Sequence, residues 1–209
     1  MATCTRPAAL TAISAVVCGI NLGQIVAAVF QRQQDDAPFA TEAAAKVLAN
    51  WTALLTAADD TKMVKTPEFP GFKIPSSEPQ YINENSNESI DGLGTFVGFN
   101  SVKATAVFES LPFEIAEEIR TLADESTAGL TQGLTGFLIT GDRRILARKL
   151  ADGKIAGIDL YNFYLASRGL EGLKTTDKLP FGFSLAPDWD KDLVLITPSF
   201  DPRKALNPA

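Results

Sequence analysis

The sequence contains no histidine. That one absence removes the commonest general base, the commonest metal ligand and every Ser-His or Cys-His nucleophile arrangement. Cysteine is nearly missing too. Cys4 and Cys18 are the only two and neither has a CxxC neighbour, which excludes the usual zinc and iron–sulfur signatures. Their spacing permits a disulfide closing an N-terminal loop, although two cysteines in a chain of this size are more often free thiols. Cations are in deficit: 19 Lys and Arg stand against 25 Asp and Glu, a net charge of −6. A protein that grips nucleic acid through its phosphates carries the opposite sign.

The densest cationic run is Arg143, Arg144, Arg148 and Lys149. It alternates with Ile145, Leu146 and Ala147 and reads as the wet face of a strand, not as a phosphate site. Paired carboxylates are the remaining catalytic option. Asp59 with Asp60 ends a helix and Glu117 with Glu118 lies on a helix face. The alternating series Asp188, Asp190, Asp192 has the spacing of a calcium loop, but an EF-hand also needs a central glycine and a terminal glutamate. Leu193 to Ile196 follow instead, so the series reads as a solvated turn leading into a strand. An enzyme working with two acids, such as a glycosidase, would want an aromatic-rich cleft that the sequence does not offer. The expectation is a non-enzymatic chain with no cofactor and no metal.

What is present is enough apolar residue to fold. The hydrophobic fraction is 45% of 209 residues, which suits one domain with extensions. The apolar stretch from Ala8 to Phe30 is interrupted by Gly19, Asn21 and Gly23, so it is a poor membrane span. Residues 1–23 are expected to form an N-terminal arm whose apolar side chains need a partner surface.

The domain is expected over residues 24–197. Gln24 to Gln33 reads as a strand from its β-branched content, and Thr41 to Ala57 as an amphipathic helix capped by Thr41. Its apolar stripe is Ala44, Val47, Leu48, Trp51, Leu54 and Leu55. Met63 to Thr66 and Phe72 to Ile74 read as short strands. Pro75 to Asn100 is polar and glycine-rich, reads as a long irregular loop, and exceeds the usual ceiling of about 12–15 residues. Its retained apolar residues, Tyr81, Ile82, Leu93, Phe96 and Phe99, argue for ordering against another subunit. Ser101 to Glu109 alternates as a half-buried strand. A second helix is expected near 112–124, with Ser110 as cap, Pro112 in the first turn and the stripe Ile115, Ile119, Leu122. Leu134 to Thr140 and Arg143 to Arg148 read as a hairpin around Gly141-Asp142. Gly157 to Ser167 and Leu193 to Thr197 complete the strands, and 198–209 is expected to form a C-terminal arm. The order lacks a βαβ rhythm, so the fold class is α+β: an antiparallel β-sandwich or barrel with one or two flanking helices.

This arrangement resembles the phage tail tube proteins, the major tail proteins that stack as rings beneath a phage head. The resemblance rests on the sandwich, the flanking helix Pro112 to Asp124, the long loop Pro75 to Asn100 and the terminal arms, and it covers most of Gln24 to Thr197. The helix from Thr41 to Ala57 and the tail to Ala209 depart from the simplest tube subunit. The resemblance implies hexameric rings stacked into a tube, with other phage tail proteins as partners. It implies no membrane, assembly in the host cytoplasm and residence in the virion tail. Tyr81, Ile82, Leu93, Phe96 and Phe99 would then be ring-stacking contacts at the subunit interface. An acidic subunit also suits a conduit through which DNA passes without being bound. Two alternatives share the lack of catalytic groups: a capsid decoration or other head or tail structural protein, and a secreted bacterial surface-assembly protein.

Overall fold

The computed structural model describes residues 24–83, 94–127, 133–170, 172 and 175–207. The expected N-terminal arm, both cysteines and Leu93 lie outside the described residues.

Two antiparallel strands, β1 (Ile25–Arg32) and β6 (Leu134–Thr140), form the spine, paired from Ile25 opposite Thr140 to Arg32 opposite Leu134. Both are apolar on both faces because both faces are covered. Ala28, Phe30, Leu134 and Leu138 enter one core, while Ala27, Val29, Phe137 and Ile139 enter a second. Strand β2 (Met63–Lys65) adds to the free edge of β1. The other edge of β6 forks. Its C-terminal half pairs with β7 (Ile145–Lys149), which carries β8 (Ile155–Ala156) and β11 (Leu193–Ile196). Its N-terminal half pairs with the first residues of β9 (Ile158–Leu165).

Strand β9 then changes sheets. Ile158 to Leu160 belong with β6, whereas Tyr161 to Leu165 pair with β10 (Lys178–Leu185). The bend falls at Asn162, whose φ of 52° is the left-handed conformation that asparagine tolerates better than other side-chain-bearing residues. Strand switching at such an irregularity is how sandwiches make corners. Beyond it, β10 pairs over its whole length with β5 (Val102–Glu109). Residues 66–74 complete the circuit. The Thr66 and Phe69 amides donate to Ala28 and Val26 of β1, each at 2.8 Å, and Lys73 exchanges two backbone bonds with Thr105 of β5.

Inside the circuit lies an aromatic core in which Phe108 stacks on Phe181 at 4.4 Å and Phe69 meets both edge-on. Helix α3 (Phe113–Thr127) contributes Ala116, Ile119 and Ala123 to it. The second core lies on the outer face of β1, β6 and β7 and is covered by α1 (Glu42–Ala45), α2 (Leu48–Leu55) and Leu206. The α+β class and the antiparallel sandwich expected from the sequence are therefore what the chain forms.

Several elements differ from expectation. The single helix over 41–57 is two helices broken at Val47, which is extended (φ −102°, ψ 122°) and half exposed. The break is stabilised from inside: the Asn50 amide and the Trp51 indole N–H each donate, at 2.8 Å, to the carbonyls of Ala44 and Ala45 at the end of α1. Thr41 does cap α1, accepting from the Ala44 amide. Ser110 is not in the cap position of α3; it adopts φ 51° and its amide donates to Asp177. Phe72 to Ile74 form a single bridge at Lys73 and not a strand. Strand β10 was not expected, and it joins β5 to the rest of the sheet. Residues 198–207 are no free arm. They carry α4 (Pro202–Ala205) and fold back onto the second core, where Leu206 is fully buried. Ser199 bonds the Lys46 carbonyl, Arg203 grips Glu68 through two 2.7 Å bonds, and the Lys65 ammonium donates to Arg203 and Asn207.

Candidate assembly site

The described residues of the segment expected as an irregular loop, Pro75 to Asn100, include a two-stranded ribbon: β3 (Pro79–Ile82) pairs antiparallel with β4 (Thr95–Phe99) and with no other strand among the described residues. Its root is fixed. Lys73 is bridged to Thr105, the Asn100 amide donates to the Glu78 carbonyl at 2.9 Å, and the Gln80 and Asn100 side chains bond each other.

The ribbon register shifts between Gln80 and Tyr81, opposite Val97. An extra residue in one strand moves the alternation by one. Phe96 and Phe99 therefore fall on one face, with ring centres 5.2 Å apart, and Tyr81 joins them 5.8 Å from Phe96. By the same alternation Ile82, paired with Thr95, points to the opposite face. About half of each side chain is in solvent: Tyr81 47%, Ile82 56%, Phe96 51%, Val97 58% and Phe99 50%. Fully burying an aliphatic or aromatic side chain of this kind is worth about 1.5–3 kcal/mol, so half of that remains available at each. A ribbon with both faces in water is marginal by itself. Of the five interface residues named from the sequence, the structure brings Tyr81, Phe96 and Phe99 together on one face of the ribbon and puts Ile82 on the other. Val97, which the sequence reading passed over, joins them.

A second exposed surface lies on the outer face of the β5–β10–β9 sheet. The register aligns Tyr161, Ser184 and Lys103 in one row and Tyr164, Gly182, Thr105 and Lys73 in the next. Tyr161 and Tyr164 are 49% and 45% exposed. Lys73 and Lys103 have no ion-pair partner among the described residues. The exposed Phe113 is a different case, since the Arg168 guanidinium lies 4.6 Å over its ring while bonding Asp177 and the Leu111 carbonyl.

The carboxylates singled out from the sequence are not all brought into one cleft. Asp59 accepts from the Thr61 amide and hydroxyl, which hold its pKa below the usual carboxylate value. Asp60 pairs with Arg32 at 2.5 Å, and Glu117 with Arg120. Asp188 and Asp192 line a small hollow of about 110 Å³ with Asp159, whose carboxylate is bound by Arg148. Among the described residues no three His, Cys, Asp or Glu side chains form a metal-ligating group, and no helix is long and apolar enough to cross a membrane. Comparison with protein-family models, with curated proteins and with solved structures finds no match to this chain.

Proposed function

We propose that this chain is a structural virion subunit that assembles with copies of itself into stacked rings, the wall of a phage tail tube through which DNA passes. The observation that carries the reading is the aromatic ribbon, anchored at its root and apolar on surfaces its own domain does not cover. An element of that kind keeps about half of its apolar surface available for association. The acidic balance supports it from another side. A wall with a net charge of −6 per subunit repels phosphate and does not retain what it conducts.

Negative-stain electron microscopy of the purified protein over a range of concentrations tests the reading. Rings with six-fold symmetry, passing to hollow tubes as concentration rises, are the expected result. A species that sediments as a monomer at every concentration overturns it.

A further inference from the structure

We propose that Lys65 and Asn207 form a covalent lock: the Lys65 amine attacks the side-chain carbonyl carbon of Asn207, an isopeptide bond joins the two side chains, and ammonia leaves. The bond fastens the C-terminal segment to β2 and does not depend on what the chain assembles into.

Geometry is the first argument. The Lys65 Nζ donates to the Asn207 Oδ1 at 2.6 Å and to the Arg203 carbonyl at 2.5 Å. A carbonyl bond is about 1.2 Å long, so the Asn207 Cγ stands no more than about 3.8 Å from Nζ, near the reacting distance of about 3–3.5 Å. Both residues are placed by fixed neighbours. Lys65 is paired with Val29 in β2, and Asn207 follows Leu206, which is fully buried in the second core. Asn207 itself is exposed, so ammonia can depart into water.

The chemistry of the amine is the second. Lys65 is partly buried and bonds two carbonyl oxygens instead of a carboxylate, because Glu68 is held by Arg203 through two bonds of its own. Burial lowers the Lys65 pKa, Glu68 opposes that and Arg203 reinforces it, with the net direction downward. Loss of one proton therefore costs less than in an exposed lysine and yields the nucleophile. The Arg203 carbonyl keeps hold of one N–H as the lone pair turns toward Cγ. The Nζ–Cγ bond then forms, the Cγ–Nδ2 bond breaks, and Nδ2 takes up the proton that Nζ gives away. No oxidant or cofactor enters. The competing route at an asparagine, attack by the next backbone N–H, is closed because residue 208 is proline.

Mass spectrometry of the full chain, intact and after trypsin, before and after incubation at about pH 9, tests the lock. The expected product weighs one ammonia less than the sequence. Residues 63–73 should be recovered joined to 205–209, with no cleavage after Lys65. Formation should quicken about tenfold per pH unit while Lys65 is mostly protonated, as attack by the uncharged amine requires. Linked protein should melt above unlinked protein, since the bond closes the 142 positions between the two residues and restricts the unfolded chain. Lys65→Arg and Asn207→Ala should each keep the wild-type far-UV circular dichroism and the full mass of their sequences. A wild-type mass that stays at the sequence value after incubation overturns the proposal, and so does an ammonia loss that persists in Asn207→Ala.

Discussion

Tyr164 lies against the bare backbone of Gly182, and a methyl group built there would stand 2.8 Å from the phenol oxygen and 2.6 Å from the Ala104 carbonyl. The phenol can swing away. The carbonyl cannot, because β5 is bonded to β10 along its length. Gly182→Ala should therefore destabilise the domain by about 1–3 kcal/mol, the range for forced overpacking. Removing Tyr164 as well should recover only part of that loss, as measured by the urea midpoint.

Asn162 turns β9 from one sheet into the other with φ 52°. Glycine adopts that conformation freely, and a β-branched residue does so only under strain. Asn162→Gly should leave the thermal midpoint nearly unchanged, whereas Asn162→Val should cost about 1–2 kcal/mol. Equal effects would mean that the bend does not depend on this residue.

Trp51 is fully buried, 4.6 Å from the Phe39 ring and 5.1 Å from Phe137, and its indole N–H satisfies the Ala45 carbonyl. Trp51→Phe keeps most of the ring packing but leaves that carbonyl unpaired, a cost of about 1–3 kcal/mol. Trp51→Ala also leaves a cavity and should cost about 3–5 kcal/mol. Denaturant unfolding followed by circular dichroism separates the two.

The Arg203 guanidinium bonded to Glu68 holds that carboxyl below its ordinary pKa. A depressed carboxylate adds stability that is complete above its unfolded pKa and disappears as pH falls through the folded one. Glu68 is about half exposed, so solvent limits the contribution to at most about 1 kcal/mol. Glu68→Gln should lower the thermal midpoint slightly near pH 7, and the gap from wild type should close on acidification to about pH 3. A gap that widens with acid would reverse the assignment.

Phe96→Ser with Phe99→Ser should leave the domain folded and cost the monomer at most about 1.5–3 kcal/mol, the half-burial of two rings, because neither ring packs on either core. The same protein should fail to stack into tubes at concentrations where wild type does. Loss of the folded monomer would place the two rings in the domain's own core.

Much of the fold could be read from periodicity. Val102 to Glu109 alternates buried and exposed in the structure as it does in the sequence, and β1, β6 and β7 stand where their apolar runs put them. Strand β10 was hidden because Pro180 and Gly182 punctuate it. Both are tolerated for tertiary reasons: Pro180 still accepts the Ala166 amide through its carbonyl, and Gly182 makes room for Tyr164. The break at Val47 was equally invisible, since Leu48, Trp51 and Leu55 keep helical spacing on the far side of it. The ribbon's aromatics stood out by type, but their common face depends on a bulge at Val97 that periodicity alone does not mark. The exposed sheet face carrying Tyr161, Tyr164, Lys73 and Lys103 was missed because its two rows exist only once distant strands are side by side.

The pairing of β1 with β6 also sets an order in time. Gln31 of β1 meets Thr135, 104 positions further along the chain, so the spine cannot zip until most of the polypeptide has left the ribosome. The aromatic ribbon is synthesised during that wait, before any domain exists to hold its root. The segment carrying Leu206, which covers the second core, is made later than either strand of the spine.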